Sequence, residues 1–361
     1  MSVQGCTSSP ASSASATIES PASGGTSSGA GPALTAAGPR AAYGKYLAAS
    51  DEAALTGRAA LVLPLTSGAA ADTLRVQYAL LAQDRIRPPY ARYAYGTPTI
   101  YLIESSGASQ PQYFVVSVER TRVAGGPQAP SVQDVAAGVQ FPASGRVLLL
   151  FEKSASRGSW RMVSVSQLAP RQSVPALATD NHGYVLRKSM TSPGGTELAR
   201  PGLAPALQAT VVDDGPASAA SQVVAAGPLT TGLYQVASTS ARDISAPHGD
   251  IYQWLLEGSG YGRLALQTAD GGALVLYAMY FNTTVETPSA LNQDIPILEG
   301  PPISVPSYVQ PLLRPGQTAP RTRLQAQDIL TFAAIDPPAS AKGAKIQVIA
   351  IGGGLYYASA S

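Results

Sequence analysis

The sequence predicts an α+β protein of two tandem units, each a set of helices followed by a curved antiparallel sheet. Three observations carry this expectation. Apolar residues recur at helical spacing before residue 84 and again after 195, period-two alternation follows each helical stretch, and this order of elements occurs twice in 361 residues. A hydrophobic share of 45% is enough to build cores of that size.

Residues 41–57, around Tyr43, Tyr46, Leu47 and Leu55, form one or two short helices. A clearer helix covers 70–84, where Leu74, Tyr78 and Leu81 stand at i, i+4 and i+7 on one face, and Arg87-Pro88-Pro89 stops it. The period then changes to two. Strands are predicted at 92–103, 112–122, 145–152 and 159–168, with Ser154 to Gly158 as a hairpin loop between the last pair. The second unit begins with a helix over 195–212, interrupted near Pro201 and Pro205. Strands follow at 250–257, 262–268, 273–285, 325–335 and 344–351.

Asp270-Gly271 within Ala269–Gly272 predicts a type I′ turn. The strand after it is apolar on both faces, with Leu274, Leu276 and Ala278 on one and Val275, Tyr277 and Met279 on the other. Such a strand needs cover from a helix on one side and another domain or subunit on the other. The units are therefore 41–180 and 181–361, with the Pro-rich stretch 287–320 as an insertion and a boundary within 170–195. The order of elements is similar to that of nuclear-transport-factor-2-like and cystatin-like cones, in which a curved sheet wraps a long helix.

Ahead of the first helix, residues 7–39 are almost entirely Ser, Ala, Gly, Thr and Pro. Such a segment buries too little surface to offset its ordering entropy. Residues 1–40 are accordingly expected to be a flexible tether, spanning about 30 Å on average. Val3-Gln4-Gly5-Cys6 stands in front of it, an aliphatic residue three before a Cys and a small residue just before. This is similar to the end of a bacterial lipobox, and it makes Cys6 the expected lipidation site. Five residues stand upstream of Cys6, so the charged and apolar parts of a signal peptide are expected in coding sequence ahead of Met1. A diacylglyceryl thioether plus an N-acyl chain supplies more than the two signals that stable anchoring needs.

The stretch from Leu264 to Ala278, centred on Thr268-Ala269-Asp270-Gly271-Gly272-Ala273, resembles the most distinctive motif of a group of secreted lipoproteins of high-GC Gram-positive bacteria. Their globular part is a domain of unknown function. Tyr93 to Tyr101, the Trp160 hairpin with its Leu-rich preceding strand, and Asp180-Asn181-His182-Gly183-Tyr184 fit the same pattern. Gln110-Pro111-Gln112-Tyr113 departs from it, where the group usually has Pro-Arg. The resemblance implies an extracytoplasmic, lipid-anchored protein and brings no catalytic residues with it.

Composition narrows the functions further. Lys and Arg number 24 against 22 for Asp and Glu, so charge makes no case for nucleic acid. One Cys and two His make a zinc site improbable, and no cofactor motif is present. There is no Gly-x-Ser-x-Gly nucleophile elbow after residue 40. His182 and His248 both sit in turn compositions, Asp213-Asp214 reads as a helix end, and Asp270 belongs to its turn. The glycine runs 258–262 and 352–354 read as turns or bulges, since neither opens a helix that could cradle an anion.

The surface candidate is the interleaved run of Arg85, Arg87, Tyr90, Arg92, Tyr93 and Tyr95. Guanidinium groups and phenol rings in alternation can stack on sugars or bases and hold anionic groups. The plainer account is a helix C-terminus decorated with Arg, which the helix dipole favours, followed by half-buried strand tyrosines.

The expected protein is thus a membrane-anchored lipoprotein on the extracytoplasmic face, binding or scaffolding at the cell envelope without catalysis. Its expected partners are the membrane, through the lipid, and an envelope protein or glycan. One alternative is an envelope enzyme acting on a glycan or lipid through a carboxylate site that no sequence motif marks. Another is a structural partner that dimerises through 273–279.

Overall fold

The computed structural model describes residues 35–83, 86–104, 110–123, 126, 144–155, 158–191, 196–287, 302–306, 309–314 and 316–361, save the side chains of 246–248. Cys6, the tether and Arg85 lie outside them, as does 288–301 of the Pro-rich stretch.

The first half opens with α1, Ala37–Thr56, a single helix of 20 residues. It begins inside the segment expected to be tether, and Pro39 is accommodated in its first turn, where no helical N–H is needed. Two 3-10 turns lead to α2, Gly68–Gln83. The short strands β1, Arg92–Tyr95, and β2, Thr99–Leu102, pair antiparallel with opposite ends of β3, Gln112–Val123. The meander continues through β4, Ser144–Lys153, and β5, Trp160–Leu168. In the crossover to the second half, β6, Arg187–Lys188, is a two-residue strand.

The second half repeats this order. Two helices, α3, Ala204–Asp214, and α4, Thr231–His248, precede the strands. Then β7, Ile251–Gly258, and β8, Leu264–Gln267, pair with opposite ends of β9, Ala273–Glu286. β10, Arg323–Asp336, and β11, Gln347–Ala360, complete the meander. The two meanders do not separate near residue 180. Leu168 pairs with Ala350 and Gln167 with Ile351, so β5 meets β11 and one sheet runs β1-β3-β4-β5-β11-β10-β9-β8-β6. Leu34–Ser361 is one compact unit.

Alternation along the strands sets the layers. Even-numbered Phe114, Val116 and Val118 of β3 and odd-numbered Val147, Leu149 and Phe151 of β4 face α1 and α2, packing with Tyr43, Tyr46, Ala53 and Ala70. Phe114 stacks on Phe151 with ring centroids 4.5 Å apart, and Tyr43 and Tyr46 meet Phe151 edge-on. In the second half, Val275, Tyr277, Met279, Leu330 and Phe332 face α3 and α4, against Val211, Val212, Leu233 and Ala237. The two remaining faces close on each other. Val115, Leu148 and Leu150 share one apolar cluster with Leu264, Leu274, Leu276, Ala333 and Ile349.

This layer explains the strand that is apolar on both sides. Leu274 is fully buried and Leu276 nearly so, under the same chain's first half. The expected dimer face at 273–279 is therefore occupied within the chain.

Several local expectations are corrected. The helix predicted over 195–212 is a 3-10 turn at Pro201–Leu203 followed by α3, with Pro205 in the first turn of α3. His248 is the last residue of α4 rather than part of a turn. The glycines 352–354 lie inside β11, which continues to Ala360 instead of ending at 351.

The Asp270-Gly271 turn is not type I′, because among the described residues near it only Gly271 has a positive φ, of 95°. Asp270 works through its side chain instead: Oδ1 accepts from Thr268 Oγ1 at 2.5 Å and from Gly272 N at 3.2 Å. These bonds hold its carboxyl below the usual range.

The same turn anchors a buried ion pair. Lys188 Nζ donates to Glu197 Oε2 and to the Gly271 carbonyl, and the Thr196 hydroxyl also donates to that carbonyl. A Cβ on Gly272 would come within 2.5 Å of the Asp336 carbonyl oxygen. The Thr-Ala-Asp-Gly-Gly motif is thus a structural lock between the crossover, β8–β9 and the end of β10.

Candidate functional site

A cavity of about 490 Å³ opens between α1, α2 and the strand ends where β1, β3, β5 and β11 come together. Tyr46 and Asp51 of α1, Gln77 and Tyr78 of α2, Tyr90, Arg92, Tyr93 and Tyr95, Arg120 of β3 and Gln167 of β5 line it. Leu47, Ala54, Leu81, Met162, Val165 and Ile351 give it an apolar floor.

The structure therefore gathers four of the six interleaved residues, Tyr90, Arg92, Tyr93 and Tyr95, at one cavity. Arg87 is exposed outside its lining, and Arg85 lies outside the described residues. The four have different roles. Tyr90 is buried, its ring edge-on to Tyr78 with centroids 5.8 Å apart, and its backbone N–H donates to Ala54 at 2.8 Å. Arg92 clamps Asp51 with a two-pronged contact, Nε to Oδ1 at 2.6 Å and Nη2 to Oδ2 at 2.7 Å. That contact ties β1 to α1, holds the Asp51 carboxyl below its ordinary range and cancels the charge of Arg92.

The cation left for a ligand is one that the Arg/Tyr run did not include. Arg120 has no carboxylate within ion-pair distance among the described residues. Its partners are neutral: Nη2 donates to Gln167 Oε1 at 2.9 Å, its guanidinium lies 4.3 Å from the centroid of the Tyr93 ring, and it hydrogen-bonds the Tyr95 hydroxyl. Register explains this arrangement. Tyr95 pairs with Arg120 and Tyr93 with Arg122, so Tyr93 reaches Arg120 diagonally across the β1–β3 ladder. Strand alternation carries a signal for it, because Arg120 follows Phe114, Val116 and Val118 on the face turned to the helices.

Burial pushes the Tyr78 hydroxyl up to about 12 and raises Tyr46 and Tyr95 as well. For Tyr95 the neighbouring Arg120 pulls the other way. At neutral pH these phenols remain protonated, as donors able to turn toward a bound oxygen. The cavity combines one guanidinium balanced only by neutral groups, neutral hydroxyls and aromatic walls.

Asp213, Glu257 and Asp180 have structural tasks elsewhere. Asp213, raised to about 6 chiefly by burial, accepts from the Leu256 N–H at 2.8 Å and so holds α3 to β7. Glu257, which shares a shallow hollow with Asp213, accepts from Asn282 Nδ2 at 2.7 Å. His182 belongs to a turn in which Asp180 Oδ1 accepts from the N–H groups of His182 and Tyr184, at 2.9 and 2.8 Å. Among the described residues no three His, Cys, Asp or Glu side chains gather as a metal site, and no helix is long and apolar enough to cross a membrane.

Searches of curated proteins and of solved structures each gave no match to the chain. A family model does match it, over residues 30–358, which takes in the sheet up to the last two residues of β11, the four described helices and the Arg120 cavity. The chain belongs to the family described as domain of unknown function DUF8094.

Proposed function

We propose that this protein is an extracytoplasmic binding protein, held to the membrane by a lipid on Cys6, with its ligand seat in the cavity under α1 and α2. The observation that carries the ligand seat is Arg120, a cation whose partners among the described residues are the neutral Tyr93, Tyr95 and Gln167. A ligand with one anionic group and a flat body fits this chemistry. The anion replaces water on Arg120 and the Tyr95 hydroxyl, while the body lies along Tyr46, Tyr78 and Tyr93. The repeated order of elements supports reading the two halves as tandem α+β modules, each curved around its own helices. The run Val3-Gln4-Gly5-Cys6, followed by a Ser/Gly/Ala-rich leash, supports the anchor.

Isothermal titration of the protein with 4-hydroxybenzoate and with glucuronate, one flat and one sugar-like anion, tests the seat. Saturable binding of either probe that weakens at least ten-fold in Arg120→Gln is the expected result. Absence of binding, or binding indifferent to Arg120→Gln, removes the seat. The anchor is tested separately, by palmitate labelling of the gene expressed with its natural upstream sequence. Label is expected on the parent protein and absent from Cys6→Ser.

A further inference from the structure

A second cavity, of about 440 Å³, lies at the seam between the two halves, on the side of the β3–β5 strands turned away from α1. Its walls come from both halves: Glu152 and Arg161 from the β4–β5 hairpin, Arg263 and the glycines beside it from the β7–β8 loop, and the first turn of α2. Two arginines from opposite halves therefore face one space. Neither Arg161 nor Arg263 makes an ion pair among the described residues. The Nε of Arg161 is shielded from solvent and has no hydrogen-bond partner among the described residues.

Two guanidinium groups without an ion pair on one cavity are the telling feature. A buried donor without an acceptor costs on the order of 1–3 kcal/mol, and more for a charged group, so such donors are rarely left bare. The obvious acceptor is Glu152, directly opposite Arg161 in the β4–β5 register. Its carboxylate instead hydrogen-bonds the Tyr113 hydroxyl, and no ion pair joins it to Arg161. Tyr261 on the opposite wall is likewise engaged, donating to Asp72 Oδ2 at 2.8 Å. With two guanidinium groups against one carboxylate, the lining is left one positive charge in excess. The side chains of Ser154, Ser159 and Ser164 add neutral hydroxyls, and the first turn of α2 adds its partial positive end in the same sense.

We propose that this seam cavity binds an oxyanion, a phosphate or carboxylate group carried by a small polar molecule. Arg161 reaches it through its Nη groups, and Arg263 closes on it from the other half. The two Nη groups of a guanidinium match two oxygens of either group, and the serine hydroxyls of the lining can hold a polar remainder. Because its two cations belong to different halves, a bound anion fastens the halves together. This site is independent of the Arg120 cavity.

The test uses the full chain at constant ionic strength, with inorganic phosphate and malonate as probes, read by isothermal titration and by thermal melting. The expected result is saturable binding of at least one probe with a rise in Tm. Binding should weaken at least ten-fold in both Arg161→Gln and Arg263→Gln and be retained in Arg120→Gln. Phosphate alone, malonate alone or both identify the oxyanion within the proposal. Arg263→Gln sits in a loop and guards against misfolding of the strand variant, whose fold is checked by near-ultraviolet circular dichroism. No saturable binding of either probe up to ~10 mM, a regime of only weak affinity, overturns the proposal. Binding that survives both seam variants also overturns it, and so does binding abolished by Arg120→Gln, which would assign the anion to the Arg120 seat and support that reading instead.

Discussion

Gly352 of β11 lies against the carbonyl oxygen of Val165 in β5, so close that a Cβ on the glycine would overlap that oxygen and come within 2.9 Å of Thr331 Oγ1. The β5–β11 ladder has stopped by this point, since its last pair is Gln167 with Ile351. Val165 O would be left without a partner there, and the Thr331 hydroxyl supplies one by reaching past the bare glycine from β10 at 2.7 Å. Ser166 Oγ in turn donates to Thr331 Oγ1 at 3.0 Å. A relay of hydroxyls thus takes over where the backbone pairing between the halves ends.

Two variants should weaken this junction. Gly352→Ala forces the strands apart and is expected to cost about 1–3 kcal/mol, the usual range for overpacking. Thr331→Val keeps the shape but strands the Val165 carbonyl, for a similar loss of about 1–3 kcal/mol. Urea unfolding followed by circular dichroism measures both, and an unchanged midpoint in either would contradict the relay.

The Lys188–Glu197 pair, with side chains only 11% and 5% exposed, should behave as a buried charge pair. Removing one partner, as in Glu197→Ala, is expected to destabilise by about 3–5 kcal/mol because it takes from Lys188 the carboxylate paired with it. The double variant Lys188→Met/Glu197→Leu should recover most of that loss. A double-mutant cycle in urea gives the coupling directly.

Phe151 touches Tyr43, Tyr46 and Phe114 and is 1% exposed. Phe151→Ala is expected to cost about 3–5 kcal/mol. It should also loosen α1 over the tyrosine cavity, so probe binding there should weaken along with the melting temperature. Phe151→Leu, which keeps most of the volume, should spare both.

Burial pushes the carboxyl groups of Asp328 and Asp336 up to about 7. Between roughly pH 4, where an unfolded aspartate titrates, and pH 7, the folded chain keeps protons that the unfolded chain has released. Stability contributed by these groups is therefore complete below pH 4 and is lost as pH rises through 7. Asp328→Asn and Asp336→Asn should each flatten the fall in Tm over this window relative to the parent protein. Parallel melting curves for parent and variant across it would disprove the assignment.

The strands of the first half and the helix over Leu74, Tyr78 and Leu81 were legible because their spacing repeats with little interruption. The helix α4 was not anticipated: its stripe of Leu233, Ala237 and Ile244 is diluted by Ser238, Thr239 and Ser240, and Pro247 sits near its end. The candidate cavity was half legible. Tyr90, Arg92, Tyr93 and Tyr95 stand out as a run, and the placement of Arg120 follows from the alternation of β3. What no local pattern carries is the neutralisation of Arg92 by Asp51 on a distant helix, or the folding of one half's bare face onto the other's. That layer puts Val115 and Leu148 with Leu274 and Ile349, residues whose only prior sign of a common destination was their apolarity.

The ladder joining β5 to β11 is two pairs long, while the shared layer beneath it runs across both meanders. Adhesion of the halves therefore resides in side chains rather than in the covalent thread. A protease nick in the exposed stretch at Pro170–Ser173 would leave the two fragments mated, and halves produced as separate polypeptides should find one another and rebuild the whole.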